Sequence, residues 1–369
     1  MKTKQNIFFI LFSIIIFSGC NGTTDLKTDG TASLKTSLQN NAISLSTAVG
    51  EISNTPDFQM MSGINGTTSM LTTSGIQLAP SAADLKVDSV QISLTDILGN
   101  YNYSWTKVKK GQFSIMRFFD RTANTTDMIV KLPATKVKNP AALFSYQPKD
   151  SLLGNNFEIQ VSNYLFKKST VTGFTYNLKS SFKLDNAALG ELDIQTSKNK
   201  MNGYNYLSSY QLSSGYNIIC QNISGDTLTS VYSITKDNKT LFEEKTSTYK
   251  VDNGKNTREK VYSLTLGNVK IVRTLGLNSF ENAKVYLDGV LQSNAKVEIV
   301  VINSSDDDQT VLKQTREIKI TFEDGTSTTI KELTNNSIDK IGEIFRSVRQ
   351  AYFATDIIDR IAQNIYWNK

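Results

Sequence analysis

The chain has 369 residues, with 40 Lys and Arg against 34 Asp and Glu, a formal charge of +6, two cysteines and no histidine. Without histidine there is no Ser-His-Asp or Cys-His nucleophilic system and no His-ligated zinc, iron or copper site. The commonest general base at neutral pH is missing too, and a charge this slight, with Lys109-Lys110 and Lys167-Lys168 scattered along the chain, argues against a nucleic-acid partner.

The first twenty residues have three parts. Lys2 and Lys4 form a basic head, Ile7 to Phe17 is apolar except for Ser13, and Ser18-Gly19-Cys20 closes the segment. That is the layout of a cleaved export signal, and its apolar run is shorter than the roughly 20 residues of a membrane-spanning helix. The closing residues resemble the lipobox of bacterial lipoproteins. The resemblance implies removal of residues 1–19, diacylglycerol on the Cys20 thiol, and a cell-envelope protein whose membrane partner is reached through that lipid. Asn21 replaces the Asp that marks inner-membrane retention in that family, which points to the outer membrane. Acylation of Cys20 leaves Cys220 alone, so the chain has no internal disulfide. Cys220 lies between Ile219 and Gln221 in a strand-like run and reads as a small buried hydrophobe.

Residues 20–31 are polar and form a tether. Leu34, Leu38, Ala42, Leu45, Val49 and Ile52 recur at helical spacing, which predicts a short amphipathic helix within 32–53. Residues 54–83 carry Pro56, Gly63, Gly66, Gly75 and Pro80 and read as irregular linker. A β domain is expected over 84–332. Val90, Ile92 and Leu94 alternate with polar residues, and Gln112 to Phe119 and Met128 to Leu132 also read as strands. Pro133, Pro140 and Pro148 mark a sub-boundary or crossing loop near 133–150. No proline follows, as long hydrogen-bonded strands require.

Period two is clearest over 157–332. Phe174, Tyr176, Leu178, Phe182 and Leu184 alternate with polar residues, the pattern of a strand with one buried and one wet face. Similar runs recur to Phe322. Between them stand turn signals such as Ser214-Gly215, Ser224-Gly225-Asp226, Lys236-Asp237-Asn238, Gly267-Asn268, Asp288-Gly289 and Asp324-Gly325. Consecutive strands with short turns predict a mainly β fold. Its frame is a large antiparallel meander forming a curved sheet, a sandwich or a barrel-like body. In the last segment, 333–369, a stripe of Ile338, Ile341, Phe345, Val348, Tyr352, Ile358, Ile361 and Ile365 predicts a long C-terminal helix packed on the sheet, with Ser337 as its N-cap.

Chemistry-bearing motifs are sparse. Ser-x-x-Lys occurs seven times, but only Ser337–Lys340 opens a helix, and the partner motifs of serine-lysine hydrolases are absent. Asp306-Asp307-Asp308 is the densest acidic run and the one candidate for Ca²⁺, though it lacks the spacing of an EF-hand loop. Glu243-Glu244 and Glu323-Asp324 are sequence neighbours, which a strand points to opposite faces. Tyr204, Tyr206 and Tyr210 share one strand face with Tyr216 across the hairpin. They are either the core of the sheet or a ligand platform for a glycan or lipid. No phosphate-binding glycine loop and no cofactor are implied.

Met128-Ile129-Val130-Lys131-Leu132-Pro133, Tyr262-Ser263-Leu264-Thr265-Leu266-Gly267 and Val285-Tyr286-Leu287-Asp288-Gly289-Val290 are similar to stretches of uncharacterised β-rich envelope lipoproteins of Gram-negative anaerobes. That likeness implies no activity. The reading that follows is a lipid-anchored, non-enzymatic module binding a glycan, a lipid or an envelope protein. A carrier of an apolar ligand is the alternative, and an enzyme using carboxylates alone is the third.

Overall fold

The computed structural model describes residues 33–63, 89–104, 115–124, 126–138, 153–199, 203–251, 257–275, 283–304 and 313–367. The export signal, Cys20, the tether and Asp306, Asp307 and Asp308 lie outside the described residues. In chain order the elements begin with α1 (Leu34–Ser53), α2 (Pro56–Ser62), β1 (Ser89–Ser93), α3 (Leu94–Ile97) and β2 (Gly99–Tyr103). β3 (Phe119–Thr122), β4 (Met128–Leu132), α4 (Ala134–Lys138), β5 (Phe157–Ser169) and β6 (Gly173–Leu184) follow. Next come β7 (Ala187–Asn199), β8 (Gly203–Leu212), β9 (Tyr216–Ser224), β10 (Thr227–Lys236), β11 (Lys239–Val251), β12 (Thr257–Leu266) and β13 (Val269–Leu275). The chain ends with β14 (Lys284–Leu287), β15 (Val290–Leu291), β16 (Lys296–Ser304), β17 (Lys313–Thr321), β18 (Ser327–Thr329), α5 (Ile330–Leu333) and α6 (Ser337–Trp367).

The fold is mainly β, as the alternation predicts. Its main sheet has 15 strands. From β5 to β15 the strand order is the chain order. β4, β2 and β3 continue from the other side of β5, and β1 pairs with β5 off that path. The described pairings are antiparallel except β2 with β4. β16, β17 and β18 form a second, three-stranded sheet. The chain divides into two compact units. Among the described residues, the first takes those within Met1–Val49, Asp226–Ser233 and Lys239–Gly342, and the second those within Gly50–Gly225, Ile234–Asn238 and Glu343–Lys369.

In the second unit, hairpin turns set the register. Asp185 and Asn186 both have positive φ (50° and 67°), the pair a two-residue turn needs between β6 and β7. Facing rows then run across the strands. Phe166, Tyr176, Thr196, Tyr206 and Asn222 stand opposite one another from β5 to β9. Tyr176, Phe182, Leu192 and Tyr210 are almost completely buried on this face. Phe157 stacks near Phe182 with ring centroids 6.0 Å apart, and Phe182 lies 6.0 Å from Tyr210. The far half of α6 packs Ile357, Ile358, Ile361 and Ala362 inward in the same unit, each fully buried.

In the first unit, the apolar stripe of α1 is buried from Leu34 to Val49. Its polar positions grip hairpin backbones. Asn41 Nδ2 donates to the Leu266 carbonyl at 2.8 Å and to Asn268 Oδ1 at 2.9 Å. Gly267, with φ 57°, has no Cβ to collide with the Asn41 amide. Lys35 Nζ donates to Asp324 Oδ2 at 2.9 Å and to Thr326 Oγ1 at 3.0 Å in the turn from β17 to β18. Hydrogen bonds from Thr326 and Lys35 hold the Asp324 carboxyl down at about 2.

Several local expectations differ from the structure. The stretch 54–83, read as linker, contains α2. Thr55 caps it, its Oγ1 accepting from Phe58 N–H at 3.2 Å, with Pro56 in the first turn. Leu94 leaves the alternation of β1 because Asp96 Oδ2 accepts from Ser93 N–H at 2.9 Å and starts α3. The strand read over Gln112–Phe119 is a 3₁₀ turn over Ile115–Phe118 that leads into β3. Ser337 is the first residue of α6, and the capping box lies upstream. Thr329 Oγ1 accepts from Glu332 N–H at 3.1 Å, and Glu332 Oε2 accepts from Thr329 N–H at 3.0 Å. Asn335 and Asn336, both with positive φ, then turn the chain into α6.

Candidate functional site

The most unusual chemistry in the second unit lies where α6 meets β5 and β6. Asp359 is 7% exposed. Its Oδ1 accepts from Tyr164 OH at 2.9 Å and from Tyr176 OH at 3.1 Å. The two rings meet edge to face, 6.0 Å apart. Desolvation pushes the Asp359 carboxyl up to about 8, against the two hydroxyls that favour its charged form. Burial, reinforced by the carboxylate, holds both phenols well above their ordinary value. Desolvation thus biases the carboxyl towards its protonated form, and its two hydrogen bonds tie helix to sheet.

Other buried hydroxyls line the same interior. Ser180, Thr196, Tyr210 and Thr355 have side-chain oxygens with no protein partner among the described residues. A second carboxylate is fully buried at the start of α2. Asp57 Oδ2 accepts from Ser213 N–H at 2.8 Å and from its hydroxyl at 3.1 Å, which ties α2 to the turn from β8 to β9. Nearer the surface, Tyr216 OH donates to Glu51 Oε2 at 2.6 Å, and Lys236 Nζ lies 4.2 Å from the Tyr216 ring centroid. Hydrogen bonds from Tyr216 and Lys236 lower the Glu51 carboxyl.

The tyrosines singled out in the sequence are mostly core. Tyr206, Tyr210 and Tyr216 are 3%, 1% and 3% exposed, so they present no open aromatic platform. Tyr204, at the strand end, is half-buried. Cys220 is buried, as its neighbours predict. The outward face of β6–β9 is instead mostly polar, amides and hydroxyls mixed with Lys179, Glu191 and Asp193 and with the apolar Leu207 and Ile219. Asn177, Gln195, Leu207 and Gln221 stand opposite one another, as do Ser181, Glu191, Gln211 and Asn217.

The first unit holds its own isolated carboxyl. Glu244 on β11 is 8% exposed and desolvation raises it to about 7, while its sequence neighbour Glu243 points the other way and is half-exposed. A hollow in this unit is lined by Tyr262, Ile271, Arg273, Ala283, Val297, Ile299 and Ile318; the centre of a water could range over only about 10 Å³ within it, room for about one water. Among the described residues no group of three or more His, Cys, Asp or Glu is placed to hold a metal ion, and no helix is long and apolar enough to cross a membrane.

Sequence reasoning passed over Asp359 and Asp57. Both carried a signal. The stripe Ile341, Phe345, Val348 and Tyr352, continued at the same three-four spacing, lands on Thr355, Asp359 and Ala362. Thr55-Pro56-Asp57 is a helix opening in its own right. Compared with models of known protein families, with curated proteins and with solved structures, the chain shows no significant match.

Proposed function

We propose that this is a lipid-anchored protein of the bacterial envelope, held by Cys20 in the outer membrane, which acts as a non-enzymatic binding module. The observation that carries the binding role is the division of polarity across β6–β9. The inner face is filled by the chain's own aromatic side chains. The outer face is polar but mixed: amides and hydroxyls alternate there with the charged Lys179, Glu191 and Asp193 and with Leu207 and Ile219, a hydrogen-bonding surface suited to a glycan or to the polar face of an envelope protein. The carrier reading needs an apolar cavity for an acyl chain, and among the described residues the hollow beside Tyr262, with room for about one water, does not supply it. An enzyme using carboxylates alone needs two carboxyls flanking an accessible space. Asp359 is instead engaged by two tyrosines inside the packed seam.

Native mass spectrometry of the protein purified from its own envelope tests this reading. A stoichiometric glycan or protein partner is expected, and a Gln195→Ala/Gln221→Ala variant should release it. A tightly retained lipid that this variant does not disturb would establish the carrier instead.

A further inference from the structure

The lysines of the second unit are treated differently at the two ends of the strands. At one end they are neutralised. Lys131 and Lys183 reach Glu158 at 3.0 and 2.9 Å, and Lys179 reaches Glu191 at 3.4 Å. At the other end, where the hairpins β5–β6 and β7–β8 turn, Lys167, Lys168 and Lys198 have no carboxylate in ion-pair distance among the described residues. The sequence explains why: no Asp or Glu occurs between Glu158 and Asp185, or between Asp193 and Asp226.

Apolar groups interleave with two of these charges on one face, while Lys167, opposite Thr175, flanks the same strand ends on the other face. Lys168, Phe174, Lys198 and Tyr204 stand directly opposite one another on four successive strands. Strands lie about 4.8 Å apart, so the two ammonium stems are separated by about 10 Å with an aromatic ring between them. Phe174 and Tyr204 are half-buried, and Phe174 meets Phe166 edge to face at 5.7 Å. Beyond the row, at the hairpin tip, Val171 is 81% exposed. The end is also built to stay in place. Gly173 (φ 98°) packs directly on the Lys198 backbone, and Gly203 (φ 71°) on the Ser224 backbone, approaches that any Cβ would block.

We propose that this hairpin end docks on an anionic lipid surface, with Lys167, Lys168 and Lys198 meeting headgroup phosphates and Val171, Phe174 and Tyr204 entering the boundary beneath them. Aromatic rings with an apolar body, and lysines whose stems lie along apolar surface, match the layering of a bilayer interface. An acidic protein segment would satisfy the charges but gives the exposed valine no apolar layer to enter. The inference rests on the membrane setting proposed above, but its test does not use the anchor.

The chain beginning at Asn21, which lacks Cys20, is sedimented with vesicles of phosphatidylcholine containing about a third phosphatidylglycerol. Binding is expected, weakening as salt rises. Each lysine changed to Gln should cost roughly fivefold in affinity, and Lys167→Gln/Lys168→Gln/Lys198→Gln on the order of 100-fold. Val171→Ser should weaken binding several-fold, while Lys179→Gln, at the ion-paired end, should leave it unchanged. Melting temperatures of all variants check that the fold is kept. Should the triple variant lose its fold, the salt dependence of the wild type and the single Lys198→Gln change decide the matter. Equal binding to pure phosphatidylcholine, no binding to the anionic vesicles, or binding that the lysine changes do not alter would each overturn the proposal. Failure here leaves the Cys20 anchor standing, because labelling of Cys20 is measured separately.

Discussion

Replacing Asp359 by Asn keeps the side-chain volume and an oxygen to accept from Tyr164 and Tyr176, but removes the ionisation. In the folded chain the carboxyl titrates at about 8, well above its ordinary value of 3.8. The folded state therefore binds the proton more tightly than the unfolded state. The stabilising effect of this protonation is fully present below about pH 4 and is lost as the pH rises towards 8. Above that the contribution is constant. The slope approaches 1.4 kcal/mol per pH unit, so the change across the window is at most about 6 kcal/mol, a large part of a typical net stability of about 5–15 kcal/mol. At roughly 2–4 °C per kcal/mol for a body of this size, Asp359→Asn should melt about 10 °C above the wild type at pH 9. At pH 5 the two should melt within a few degrees of each other. The difference between the two proteins, followed by thermal denaturation across pH 4–9, removes titrations common to both, including that of Glu244. A melting difference that does not change between pH 5 and pH 9 would refute the assignment of a desolvated, proton-binding carboxyl to Asp359.

Two further substitutions probe how the helices are held. Gly267→Ala places a methyl group against Asn41 and forces an L residue into a left-handed conformation, for a cost of about 2–4 kcal/mol in urea unfolding. Asn41→Ala, by removing the amide that the methyl meets, should make the double variant less damaged than the sum of the two; strict additivity would contradict the packing. Phe345 is 6% exposed on α6, so Phe345→Asp should cost more than about 3 kcal/mol. It should also expose surface that binds a hydrophobic dye. If a chain ending at Leu333 melts like the full protein, α6 contributes nothing to the fold.

The strands were readable because each has one wet face. Phe174 to Leu184 announces β6 by its alternation, and Asp288-Gly289 announces the turn from β14 to β15. Helices α1 and α6 were readable for the same reason at a different period. Short elements were not. Ser93–Asp96 converts an alternating run into α3 through one backbone-to-carboxylate hydrogen bond, which periodicity does not register. The clamp at Asp359 was illegible for a deeper reason. A polar residue inside an apolar stripe is either a flaw in the stripe or a partner for something across the seam. Only the register that brings Tyr164 and Tyr176 under α6 decides which. The tyrosines of β8 show the converse: alternation placed them on one face, and burial makes that face core.

The central claim, an envelope protein held by lipid on Cys20, is tested most directly in cells grown with an alkyne analogue of palmitate. The wild-type chain should carry the label and run as the processed form beginning at Cys20, whereas Cys20→Ala should remain an unlabelled precursor that retains residues 1–19. Equal labelling of the two proteins, or a wild-type chain that is cut but carries no acyl group, would contradict the account.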